Sequence, residues 1–176
     1  IVIILLDTQQ SAIARPLSVL GAFISLYFYH SEALYSKVVS KCIFMVLDVY
    51  GWYHWRYGGR NKTTLPVSTA SFSELLFLGV AGLFSTWALG KFFAVYSNAV
   101  LPYWDALHTA LATIAYWLLV KKKLQTWAVW TFANVLFVVV LYSREIYLFS
   151  GLNAFYILLN IHGYRSWRRS YSLAKA

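Results

Sequence analysis

The sequence predicts an all-helical integral membrane protein of seven transmembrane segments, built as two parallel three-helix repeats joined by one linking helix. Three observations predict it. Of 176 residues, 60% are hydrophobic and only 12% are charged, whereas a soluble domain carries about a quarter charged residues. Apolar stretches of near-spanning length alternate with short polar breaks along the whole chain. A segment ending in Gly-x-x-x-Trp occurs twice, at Gly51–Trp55 and at Gly163–Trp167.

A spanning helix needs about 20 apolar residues. The segments that meet this approximately are 1–6, 16–30, 34–57, 72–96, 99–120, 126–142 and 146–167. The first is expected to be a clipped helix, because the chain opens on Ile1 and is apolar from its first residue. It lacks the basic start and small-residue cleavage site of a secretory signal. Polar breaks fall at 7–15, 30–32, 58–66, 97–98, 121–123 and 143–145. Alternate breaks form two sets. One holds Arg15, Arg56, Arg60, Lys62, Lys121, Lys122, Lys123, Arg165, Arg168, Arg169 and Lys175; the other holds Lys37, Lys41, Lys91 and Arg144. The positive-inside rule assigns the richer set to the cytoplasm, with the N-terminus outside and the basic tail inside. On this reading Arg15, Arg60 and the Lys121–Lys123 run are solvated topology signals.

The repeat justifies the three-plus-one-plus-three order. Leu47, Asp48, Gly51 and Trp55 align with Leu159, Asn160, Gly163 and Trp167, and the same ungapped register pairs Ser31 with Ser143 and Tyr35 with Tyr147. It also lays residues 1–6 on 113–118, the second half of the fifth segment. The expected units are 1–57, a linker with connecting helix at 58–98, 99–167, and a basic tail at 168–176. Parallel repeats are a transporter architecture with the binding site near the midplane, where the repeats meet.

Composition excludes several classes. The net charge of +9 is dispersed in short clusters between apolar stretches, which encodes membrane topology and not nucleic-acid binding. The single Cys42 excludes a disulfide framework and a cysteine metal cluster. No zincin, nucleophile-elbow or phosphate-loop motif is present, and the four histidines lie in separate segments. No cofactor and no enzymatic activity are expected.

Polar groups inside spans are costly and default to functional candidates. Lys41 and Asp48 lie two turns apart on one face of the third segment. Lys41 either snorkels to the outer boundary or meets a ligand. Asp48, a turn or two inside, needs a partner, and a cationic ligand is one. On the fifth segment Asp105 suits a helix start, while Thr113 and Tyr116 lie deeper on the same face as His108. Trp127, Trp130 and Asn134 run at i, i+3 and i+7, and Asn153, Tyr156 and Asn160 repeat that spacing. Such asparagines often only join helices, for about 0.6 kcal/mol each; Asn134 and Asn160 converging with tryptophans from both repeats point to a ligand. Paired Trp at i, i+3 stack on a flat cation, worth about 2 kcal/mol once water is excluded. An interfacial aromatic belt is the competing reading; it is favoured for Trp55 and Trp127, the site reading for Trp52 and Trp130.

The runs Tyr50-Gly51-Trp52-Tyr53-His54-Trp55, Trp104-Asp105-Ala106, Trp127-Ala128-Val129-Trp130 with Asn134, and Gly163-Tyr164-Arg165-Ser166-Trp167 resemble the PnuC family of bacterial vitamin transporters, from about Leu17 to Trp167. The resemblance implies a SWEET-like fold enlarged to seven helices, a homotrimer in the bacterial inner membrane, and facilitated diffusion of nicotinamide riboside. It also implies a separate cytoplasmic kinase that traps the product by phosphorylation. Its ligand residues map onto Trp52, Trp130, Asn134 and the polar position at Asp48; Tyr35, Thr113, Tyr116, Tyr156, Asn160 and Lys41 complete the candidate set. The family pattern has Asn at the position of Asp48 and Gln at that of Lys41. A carboxylate only accepts hydrogen bonds, which suits the amino-pyrimidine of thiamine at least as well as nicotinamide. Two further classes stay open: a membrane enzyme acting on lipids through Asp105 and His108, and a substrate-capture subunit of a separate energising complex.

Overall fold

The computed structural model describes the backbone of residues 1–31, 35–96 and 101–173, and side chains outside 28–40 within them. Among the described residues lie seven α-helices: α1 (Val2–Thr8), α2 (Ala14–Ser31), α3 (Tyr35–Tyr57), α4 (Phe72–Tyr96), α5 (Pro102–Val120), α6 (Thr126–Ser143) and α7 (Tyr147–Leu173). A 3₁₀ turn at Arg60–Lys62 and an isolated bridge between Ser68 and Lys123 complete the secondary structure. The helices fall close to the expected segments. The last differs: α7 runs on through Arg168 and Arg169 to Leu173, so the expected basic tail is helical for most of its described length.

Two of these helices, α4 and α6, are each long and apolar enough by themselves to cross a membrane, and α2 contributes a shorter apolar run at Ala14–Tyr27. The helices expose many large apolar side chains. Phe72 and Leu148 are each 82% exposed and Leu83 71%, an amount of exposed apolar surface that a soluble monomer does not carry and that lipid tails cover.

The chain divides into two compact units. The first comprises Ile1–Val67, Val120–Lys122 and Ser166–Ala176; the second comprises Ser68–Leu119 and Lys123–Arg165.

The first unit is organised by an arginine. Arg15, in the first turn of α2, is 1% exposed and bridges Asp7 of α1 and Asp48 of α3, the latter at 3.1 Å. This corrects the expectation that Arg15 is a solvated topology signal. Gly51, one turn beyond Asp48, lets the arginine stem lie against α3, since a Cβ there would stand 3.4 Å from Arg15 Cδ and 3.2 Å from Val120 Cγ2. Trp55 lies 5.3 Å from the same guanidinium and donates Nε1–H to the Val120 carbonyl. Trp167 stands edge-on to Trp55 at 5.9 Å and donates Nε1–H to the Asp7 carbonyl.

The turns leaving α1 and α5 are built alike. Gln10 and Lys122 both take left-handed backbone, at φ 58° and 48°. Ser11 N–H closes on Leu6 O at 2.9 Å, and Lys123 N–H on Leu118 O at 2.8 Å. This is the Schellman closure of a helix end, made with non-glycine residues at the left-handed position. The next helices then begin at Ala14 and Thr126 and end at Ser31 and Ser143, the spacing that carries Gly51 onto Gly163.

Removing one partner from a buried ion pair leaves an uncompensated charge, at a cost of about 3–5 kcal/mol. Arg15→Gln is expected to lower the thermal midpoint of the detergent-purified protein sharply, while Arg60→Gln, at an exposed position, leaves it within about 0.5 kcal/mol. Equal midpoints for the two variants would show that the arginine does not hold the first unit together.

Candidate functional site

In the second unit, α6 and α7 meet along a face that carries most of the candidate residues. Two contacts fix their register. Ser150 Oγ donates to Val138 O at 3.0 Å near one end. Near the other, the backbone of Gly163 lies so close to Trp127 that a Cβ would stand 2.5 Å from the indole ring. The helices are therefore antiparallel, and both advance about 1.5 Å per residue. Stepping three residues along each from the Trp127–Gly163 contact brings Trp130 level with Asn160. Four more bring Asn134 level with Tyr156. Residues spaced by three, four and seven share a helix face, so the two aromatic-amide ladders face the same seam.

The hydrogen bonding of the amides on this seam is incomplete. Asn134, 7% exposed, donates through Nδ2 to Trp130 O one turn back at 2.8 Å. Asn160, 4% exposed, has no acceptor within reach of Nδ2. A buried amide hydrogen without an acceptor costs free energy comparable to a lost hydrogen bond. Asn160 thus offers an unpartnered donor, which a carboxamide oxygen could accept from, and Asn134 adds an amide carbonyl on the same seam. Trp130 and Tyr156 are half-buried, as is Tyr116 on α5, whereas Thr113 is exposed and returns its hydroxyl to Thr109 O at 2.9 Å.

In the first unit, the partner that Asp48 requires at its depth is Arg15. Lys41 is half-buried on the same helix, and Trp52 is half-exposed with the Arg56 guanidinium 6.0 Å from its ring. The α3 backbone begins at Tyr35, whose side chain lies outside the described residues. The positions equivalent to Trp130 and Asn134 are Ser18 and Ala22, small side chains on α2. The large seam residues therefore belong to the second unit.

Three sequence expectations are revised by burial. Trp55 and Trp127 are 1% and 3% exposed, so they are interior residues and not an interfacial belt. Lys122 is 4% exposed, donates to Leu65 O at 2.9 Å and sits 4.8 Å from the Trp55 ring. It is a packed residue within the Lys121–Lys123 run and no solvated signal. The sequence reasoning missed Asp7 and Arg15 altogether, placing both in a polar break. The rule that a carboxylate inside a span needs a partner was the signal that pointed to such a cation.

His108 stacks on Phe137 at 4.0 Å in a small cleft lined by Trp104, Leu107, Ala133, Leu136 and Val140. Asp105 occupies the first turn of α5. No cluster able to hold a metal ion occurs among the described residues.

Residues 1–169 match the family described as nicotinamide mononucleotide transporter. The chain belongs to that family. It is 24% identical over 162 residues to the nicotinamide riboside transporter PnuC of Escherichia coli (strain K12), covering 78% of this chain and 68% of that one. The same figures hold for the PnuC of Shigella flexneri. A crystal structure of the vitamin B3 transporter PnuC superposes with a TM-score of 0.69 at 14% identity, covering 95% of this chain and 76% of that one. This likeness establishes the fold. The protein is a membrane transporter and not an enzyme, which removes the lipid-modifying alternative.

Lys122 lies in the turn between α5 and α6, outside the spans. Burial lowers its pKa from 10.5 to about 8. Between about pH 8 and pH 10.5 the unfolded chain binds the extra proton, so stability rises with pH through that window. Lys122→Met is expected to flatten this rise in thermal midpoint; an unchanged slope would place the lysine in solvent.

Proposed function

We propose that this protein carries nicotinamide riboside across a bacterial inner membrane by facilitated diffusion. The reading is supported above all by the α6–α7 seam, which carries Trp130, Tyr156, the Asn134 amide and the buried Asn160 Nδ2 that has no acceptor. A pyridinium ring stacks on the indole, and its carboxamide donates to one asparagine and accepts from the other. Nothing in the set is a strong nucleophile or a paired acid and base, and the chemistry required is only desolvation and release.

Substrate choice follows from charge. The mononucleotide named in the family description carries a phosphate, and no cation lies on the seam. A free carboxylate at Asp48 suits thiamine at least as well as nicotinamide. With Arg15 on that carboxylate, it supports the structure of the first unit, and the argument for thiamine loses its main residue. Trp52, Asp48 and Lys41 remain in the proposed set as secondary contacts on α3, with Tyr35, Tyr116 and Thr113.

The proposal extends to two three-helix repeats, α1–α3 and α5–α7, with α4 as the link. The shared turn geometry and the constant spacing of helix ends support it. The excess of Lys and Arg on one set of loops supports an outside N-terminus and a cytoplasmic C-terminus. A trimeric assembly and a cytoplasmic kinase acting on the product follow from the family resemblance.

The test is a titration of the purified protein, following tryptophan fluorescence. Nicotinamide riboside is expected to quench saturably, and thiamine and the mononucleotide to bind at least about tenfold more weakly. Losing a cation–π contact of about 2 kcal/mol predicts about 30-fold weaker binding in Trp130→Ala. Asp48→Asn should change stability more than preference. Thiamine binding as well as the riboside, or binding that survives Trp130→Ala and Asn134→Ala together, would overturn the assignment.

A further inference from the structure

The exposed face of α3 changes chemistry in one direction. Val46 and Val49 are 69% and 58% exposed, Tyr53 61% and Tyr57 41%. Arg56, also exposed, lies within 5.9 Å of the Tyr57 ring, and Tyr53 and Tyr57 pack together at 5.3 Å. Aliphatic side chains, then tyrosines, then guanidinium is the order met along a helix leaving the acyl region for the headgroups.

The loop after α3 adds to the cationic end. Leu65 N–H bonds back to Trp55 O at 2.9 Å, and Gly59 N–H closes on Thr63 O at 2.8 Å. The compact turn so formed holds exposed Arg60 and Lys62 beside the helix end. The Trp55–Trp167 contact brings the last turns of α7 to the same level, with Arg168 and Arg169 exposed.

Among the described residues of the first unit, no exposed acid accompanies these five cations. The described acids of the first unit are Asp7 and Asp48, and both are buried against Arg15. We propose that this end of the first unit, formed by Arg56, Arg60, Lys62, Arg168 and Arg169, is a binding surface for anionic phospholipid headgroups. A phospholipid is the occupant because one molecule satisfies the whole face. Its phosphate meets the guanidinium groups, its glycerol region meets Tyr53 and Tyr57, and its acyl chain covers Val46 and Val49. A free phosphate would use only the first of these. The inference rests on α3 crossing a bilayer and is independent of which substrate is carried.

The test is lipid retention by the intact chain, equilibrated with equal phosphatidylglycerol and phosphatidylcholine and read by native mass spectrometry. Phosphatidylglycerol is expected to be enriched several-fold. Each basic residue near the surface contributes about fivefold in affinity, so the Arg56→Gln/Arg168→Gln double variant should lose most of the enrichment. Arg144→Gln, at an exposed position outside this unit, should lose none. High salt on the unaltered chain should reproduce the loss without any substitution, which keeps the result readable if the variant folds poorly. Retention of the two lipids in their bulk ratio would overturn the proposal. So would displacement of phosphatidylglycerol by inorganic phosphate at matched ionic strength, which would make the surface a site for soluble anions. Failure of riboside binding would leave the lipid measurement unaffected.

Discussion

The constraint on which the first unit depends is the burial of one guanidinium between two carboxylates. Arg15 has Asp7 on one side and Asp48 on the other, from three different helices. In a low-dielectric interior such a group persists only if charge and hydrogen bonds are satisfied together. That requirement dictates much nearby. The arginine is flanked by a glycine at position 51, where a Cβ would press on Val120 and touch the arginine stem, and by an indole at position 55 that covers the guanidinium. It also accounts for polar residues in α3, which by composition alone is a weaker candidate to span a membrane than α4 or α6. Asp48, the acid of α3, is neutralised inside the protein and does not face lipid.

The second unit solves the same packing problem without charge. Where the first has arginine against glycine, the second has Trp127 against Gly163, and where the first has Asp48 it has Asn160. The exchange converts a closed ionic lock into a seam of aromatic faces and amides. An ion pair is satisfied by its own members, whereas the Asn160 donor left without a partner is open to a guest. A duplicated fold can in this way give one half rigidity and the other recognition. For a transporter the division is useful: binding a flat cation through π faces and neutral amides avoids the tight electrostatic hold that would slow release.

How much of this was legible before folding depends on the residue. Trp130, Asn134, Tyr156 and Asn160 stood out because amides and large aromatics at i, i+3 and i+7 have no business in lipid without a reason. Their levels on α6 and α7 follow once two contacts are known. Asp48 was visible as a charge needing a partner, but the partner was sought in a ligand. Arg15 sits nine residues before Ile24 in a stretch that reads as a loop, and a basic residue at a loop position is ordinarily solvated. Lys122 was hidden in the same way, as one of three identical lysines of which only the middle one is buried.

The sequence by itself determined the all-helical class, the approximate positions of the helices and the family resemblance. Each of these is carried by local periodicity, by composition or by spacing along the chain, and none requires knowing which helices touch. Tertiary structure decided which polar groups are spent on the protein. That distinction depends on distances between side chains far apart in the chain, such as Asp7 and Asp48 or Trp127 and Gly163. Hydrogen bonding is settled by those distances, and no one-dimensional pattern contains them.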